Sequence, residues 1–317
     1  MNTKKVFSLH AGLAILLLLT ACSAVKPTPA QPAPPPTVVE TPATGVQYQF
    51  VTNKLLLPAT REQTQAFALD VDEDSQQKPD NKFGELLTLL TSAAPILELQ
   101  STLDQAVDSG HLVTLHMVKT DDILNDPSVS WSVFLGQAAQ SPPGFDGSDQ
   151  FVLDSDTPPN SPIIGSLANG RFVGGPGSAY VRMLLLGQQV EVGLIGVRLE
   201  ATFSADGCVD GKLGGGVTAE EFQSRLLPAI ADGLNQMITA NNPAASPLLQ
   251  AFDLDKDGII TAQELEKNPL LMLAVSPDMD LLDSSGKFNP GQDGVKDSYS
   301  IGLGFTCVPA AFVVLED

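Results

Sequence analysis

The chain has 317 residues, and its 17 basic side chains are outnumbered by 37 acidic ones, for a formal net charge of −20. A surface of that sign repels nucleic acid and anionic headgroups and attracts cations. A nucleic-acid partner is therefore excluded, and what matters is whether the acids are spread over a solvated surface or gathered around divalent ions.

In chain order, residues 1–21 come first. Lys4 and Lys5 precede the apolar run Leu9–Leu19, which has signal-peptide length and is too short to span a bilayer as a helix. "LTAC", Leu19 to Cys22, resembles the bacterial lipobox. That resemblance implies cleavage before Cys22, lipidation of Cys22 and export to a bacterial membrane. Ser23 after the cysteine points to the outer membrane by the sorting habit of such signals. Residues 22–45 are rich in Pro, Ala and Thr and poor in bulky apolar side chains. They are expected to form an extended, semi-rigid tether. The folded part is expected over residues 46–317.

Short alternating runs dominate that part. "GVQYQFV", "HLVTLHMVK" and "SVSWSVFLG" read as strands, and "SAYVRMLLL" with "VEVGLIGVRLEATFS" reads as a hairpin. In the second arm the parity of the apolar positions switches near Gly193 and Gly196, which implies a bulge. The last run places Tyr299, Ile301, Leu303, Phe305 and Cys307 on one face, and Ser300, Gly302, Gly304 and Thr306 on the other, expected to be wet. Helices are expected at "NKFGELLTLLT", at "PILELQSTLDQAV" with Pro95 in its first turn, and at "TAEEFQSRLLPAIADGLNQMI". The last opens on the capping pair Thr218 and Glu221 and should kink at Pro228. The expected fold is mainly β with helical insertions (α+β): an antiparallel β-sandwich-like domain carrying one helix–loop–helix within an insertion at 217–275.

The chemistry concentrates in "FDLDKDGIITAQEL", Phe252 to Leu265. Asp253, Asp255 and Asp257 alternate, Gly258 follows, Ile260 comes two residues later, and Glu264 closes a span of twelve. The pattern resembles the EF-hand loop, and it has a physical reason. Ca2+ takes about six to eight oxygens at about 2.3–2.6 Å. Alternate aspartates in a tight turn converge on one point, and Gly258 permits the bend. The ligand set implied is Asp253, Asp255, Asp257, the Ile259 carbonyl, Thr261 and Glu264. Ile260 should pair with a partner loop or plug the core. EF-hands usually come in pairs, and no second full match occurs, so a structural clip is expected rather than a sensor.

Two further acidic stretches leave two readings open. "DVDEDSQQKPDN" carries Asp70, Asp72, Asp74 and Asp80 and resembles extracellular calcium repeats, with Ser75 where Gly is expected. It is a second metal loop or a solvated acidic one. "SPDMDLLDSSGKFNPGQDGVKDS" offers Asp278, Asp280 and Asp283 as a third metal cluster or as ordinary turn residues. Apart from Cys22 the chain has Cys208 and Cys307. In an oxidising compartment they suggest one disulfide, the alternative being two buried thiols.

The order of these features is similar to a group of uncharacterised bacterial lipoproteins, across most of Val46 to Phe312. The similarity bears on the fold and implies no activity. No GxSxG, HExxH or P-loop occurs. His111 and His116 fall in or beside a strand, where packing is the usual role, while a carboxylate pair for glycoside hydrolysis cannot be picked out among so many acids. The expected function is a calcium-binding, lipid-anchored surface protein, structural or ligand-binding. The alternatives are a calcium-dependent binder of an extracellular glycan or protein partner, or a carbohydrate-active hydrolase.

Overall fold

The structure is a computed structural model that describes residues 45–73, 79–93, 98–158, 160–204, 206–240, 245–271 and 274–313. The leader, Cys22, the tether up to residue 44, Asp74 and Pro95 lie outside the described residues.

Strand β1 (Val46–Leu56) starts the folded part, followed by helices α1 (Arg61–Ala66), α2 (Lys82–Ala93) and α3 (Leu99–Asp108). Strands β2 (Thr114–Thr120), β3 (Asp126–Leu135), β4 (Gln150–Val152), β5 (Ile163–Ala168), β6 (Arg171–Leu185), β7 (Gln188–Ser204) and β8 (Gly207–Thr218) come next. The helical insertion then contains α4 (Ala219–Glu221), a π turn at Phe222–Leu226, α5 (Leu227–Thr239), α6 (Ala245–Phe252) and α7 (Ala262–Lys267). Strands β9 (Ser298–Pro309) and β10 (Ala311–Val313) end the described chain.

The chain is mainly β and antiparallel, as the alternation indicates. Eight of the strands form one closed sheet in the order β1-β2-β3-β5-β6-β7-β8-β9, with β9 pairing back onto β1. Closure leaves these strands without a free edge. The interior is packed rather than open. Trp131 is fully buried, and its ring centroid lies 5.0 Å from Phe172, 5.2 Å from Phe203 and 6.4 Å from Phe305. A small second sheet of β4 and β10 covers part of the outside, where Phe151 and Phe312 pack on Val51, Val113 and Leu115.

The expected strands and the β6–β7 hairpin are present, and the bulge falls between Ile195 and Arg198 with Gly196 at φ +63°. The second face of β9 departs from expectation. Ser300, Gly302 and Gly304 are buried, not wet. A Cβ on Gly302 would lie 2.4 Å from the Phe67 carbonyl oxygen, and one on Gly304 would lie 2.5 Å from the Phe67 ring. The glycines let the α1–α2 segment lie directly on the strand, so polarity alone misjudged a face covered by helices. At the start of the insertion Thr218 caps Glu221 N–H, but the Glu221 carboxylate reaches Gly193 N–H at 2.9 Å instead of closing a capping box. A π turn at Phe222–Leu226, in which Leu227 N–H donates to the Phe222 carbonyl, precedes Pro228, which stands in the first turn of α5.

Cys208 and Cys307 sit opposite each other in the β8–β9 register and form a disulfide with Cα atoms 4.9 Å apart.

Candidate metal centre

The 253–264 segment joins two short helices, α6 and α7. Asp253, Asp255 and Asp257 each turn one carboxylate oxygen toward the others, all within 4.8 Å. Among the described residues no other set of three acidic, histidine or cysteine side chains gathers so closely. The turn holds itself open for them. Asp253 accepts from Lys256 N–H at 2.7 Å and from Gly258 N–H at 2.9 Å, Asp255 from Asp257 N–H at 3.1 Å, and Asp257 from Ile259 N–H at 2.8 Å. Gly258 stands at φ +90°, where a side chain would be strained.

Glu264 spans the loop's two ends. One oxygen accepts from Leu254 N–H at 2.7 Å and Asp255 N–H at 3.3 Å, and the other from the N–H and hydroxyl of Thr261, both at 2.8 Å. Burial alone would raise this carboxyl's pKa, but the bonds from Thr261, Asp255 and Leu254 outweigh it and hold the pKa below the ordinary value. Glu264 is therefore held as an ionised carboxylate, but it is not one of the gathered group, which comprises Asp253, Asp255 and Asp257. Among the described residues no basic side chain forms an ion pair with Asp253, Asp255, Asp257 or Glu264.

Ile259 points outward at 54% exposure, while Ile260 is buried in the main core. The Ile260 backbone is held from both sides by one side chain that the sequence reading missed. Asn235 on α5 accepts from Ile260 N–H at 2.8 Å and donates to its carbonyl at 2.7 Å. Its only trace in the sequence is an amide between Leu234 and Gln236 on α5.

The other acidic candidates are placed differently. Asp278 accepts from the Ser300 N–H at 2.9 Å and hydroxyl at 2.5 Å, and burial pushes its pKa up against those bonds. Asp280 accepts from Gly294 N–H at 2.7 Å. Asp283 closes a turn with Ser285 and Lys287. Each accepts hydrogen bonds from residues of the 278–300 segment, and the three do not gather as the 253–257 set does. Asp72 is buried and lies 3.7 Å from Lys296, and Asp80 lies in the bridge to Leu69. A separate surface cleft of about 630 Å3 is lined by Arg61, Asn81, Lys82, Glu85 and Asp278, among others, and by no residue of the 253–264 loop. His116 is buried in the barrel interior, where desolvation lowers its pKa to about 3, so it is a neutral packing residue there.

No known protein family, curated protein or solved structure matches the chain.

Proposed function

We propose that the 253–264 loop is an EF-hand-type site for Ca2+ and that the ion fastens the helical insertion of an exported, lipid-anchored protein. The gathering of the Asp253, Asp255 and Asp257 oxygens within 4.8 Å carries this reading. Uncompensated carboxylates at that range repel one another, and a divalent ion turns the repulsion into attraction. Outside the cell, loops of modest affinity (~10⁻⁴–10⁻³ M) are filled most of the time, so the ion stabilises rather than signals. At tenfold excess over Kd, binding only the folded state contributes about 1.4 kcal/mol. The lipobox-like leader and the Pro-rich tether support the membrane attachment, with Cys22 as the lipidated residue.

A glycan or protein bridged by the ion in this loop receives less support, because the surface cleft is lined by α1, Ala68, residues 79–81, α2 and Asp278 and by no residue of the 253–264 loop. The test is calcium titration calorimetry on the full chain and on Glu264→Gln. The variant is expected to lose one binding event. An unchanged isotherm, or a wild type that binds no calcium, removes the assignment.

A further inference from the structure

We propose a second divalent-cation site, for calcium, in the seam between the Leu69–Asp72 segment and Asp280. The observation behind it is a pair of buried carboxylate oxygens that have no hydrogen-bond partner among the described residues.

Leu69, Val71, Met279 and Leu281 form one small apolar cluster, so two segments that are distant in sequence run side by side. The cluster rests on the outside of the barrel, over glycines of β8. A Cβ on Gly216 would come within 2.2 Å of Leu281, and one on Gly214 within 3.1 Å of Leu69. Asp70 and Asp280 each fall between two of these apolar anchors. Asp280 is 5% exposed, and only its Oδ2 is used, by Gly294 N–H. Its Oδ1 is buried without a hydrogen-bond partner among the described residues, and so is Oδ1 of Asp70. Asp72, next along, is buried as well.

A carboxylate oxygen removed from water needs a donor, a proton or a cation. Lys296 does not meet the need: it lies 3.7 Å from Asp72, is half exposed, and leaves the two Oδ1 atoms without partners. Water would supply donors but no charge, and one proton would neutralise only one of the two carboxylates whose Oδ1 atoms are buried without a partner among the described residues. A hard divalent ion answers both orphan oxygens and the excess negative charge together. Calcium suits the seam better than magnesium, because it accepts irregular sets of carboxylates, backbone carbonyls and waters, whereas magnesium demands a near-ideal octahedron. Bound there, the ion would clip the segment after α1 to the loop before β9, joining the two ends of the chain that close the barrel.

The site is independent of the 253–264 loop, and the test keeps the two apart. Calcium is titrated into the full chain carrying Glu264→Gln, and melting is followed in calcium and in EDTA. One binding event and a calcium-dependent rise in Tm are expected to remain, and both should vanish when Asp280→Asn is added. Asp70→Asn is the second variant, expected to weaken the same event at least tenfold, and it serves if Asp280→Asn fails to fold in EDTA. Absence of any event in Glu264→Gln overturns the seam site, as does an event that neither aspartate substitution alters. If Glu264→Gln binds as the wild type does, the loop assignment fails alone, and the seam is then judged by whether Asp280→Asn loses an event relative to wild type.

Discussion

At the scale of single residues, His116 shows how the barrel interior constrains chemistry. Trp131 can only donate, and its indole N–H meets His116 Nδ1 at 3.2 Å, so Nδ1 must be the acceptor. Nε2 then carries the hydrogen and donates to Thr52 Oγ1 at 2.8 Å. The ring also stacks on Phe305 at 5.1 Å. A proton on Nδ1 would face the Trp131 N–H, which agrees with a pKa lowered from 6.5 to about 3 by burial. The folded state therefore refuses a proton that the unfolded state accepts. The stability so gained is present above the unfolded value of 6.5 and is lost as pH falls toward about 3. Burial opposes ionisation of Asp126 and Glu264, but hydrogen bonds overcome it, and Arg182 holds Asp154 low; these groups lose their contribution only as pH falls below their ordinary values of 3.8 and 4.5. Asp278, raised by burial, acts in the opposite direction and favours the fold at low pH. Between pH 6.5 and about 5, urea unfolding should show a loss of roughly 2 kcal/mol attributable to His116. His116→Gln should flatten that slope relative to wild type. Equal slopes in the two proteins would contradict a neutral, buried ring.

At the scale of elements, two asparagines take the place of missing strands. Asn235 on α5 exchanges two hydrogen bonds with the Ile260 backbone, as a neighbouring strand would. Asn81, at the start of α2, does the same for Gly302 on β9, donating to its carbonyl at 3.0 Å and accepting from its N–H at 3.1 Å. The first contact explains how a lone loop can keep its shape without a second loop to pair with. If Asn235 preorganises the loop, removing it makes calcium order the backbone as it binds, and each lost hydrogen bond costs about 0.5–1.5 kcal/mol. Asn235→Ala is expected to weaken calcium binding by roughly three- to tenfold with the number of sites unchanged, as read by calorimetry. An unaltered Kd would show that Ile260 is held by core packing alone.

The same elements show what the sequence made legible. The acidic loop is readable because Asp253, Asp255 and Asp257 alternate at local spacing, so the group they form can be found without knowing its neighbours. Strand β9 is readable on its apolar face, since Tyr299 to Cys307 alternate without a break. Its other face is not, because Ser300, Gly302 and Gly304 are polar or small for close contact with Phe67 and Asn81, not for water. Strand β8, "GCVDGKLGGGVT", escaped notice because its glycines lower strand propensity, although they are what lets Leu69, Met279 and Leu281 approach. Asn235 depends on a partner 25 residues away, and no local pattern announces it; Asp70 and Asp280 stand in acidic stretches that the sequence displays, but the burial of one oxygen on each is set by the fold.

At the scale of the whole molecule, closure is the demanding step. The barrel shuts where β1 meets β9, pairing Phe50 with Pro309 and Leu56 with Gly304 across most of the chain. The neighbouring pair β8–β9 is no easier, since the whole 219–297 insertion separates the two strands. Bringing such distant segments together costs loop-closure entropy before any contact repays it. The disulfide acts on this cost, because Cys208 and Cys307 are 99 residues apart and face each other in the β8–β9 register. A cross-link over about 100 residues contributes roughly 4–5 kcal/mol in the chain-entropy model, and native links commonly measure about 2–5 kcal/mol. The paired substitution Cys208→Ala with Cys307→Ala should therefore lower urea-unfolding stability by roughly 2–4 kcal/mol. The loss should be of similar size with calcium present or removed, because the disulfide acts on the unfolded chain, whereas an ion bound as proposed would act on the folded one. A stability loss that appears only in EDTA would instead mean that the ion holds β8 and β9 together directly, making the link and the metal two fastenings of one joint.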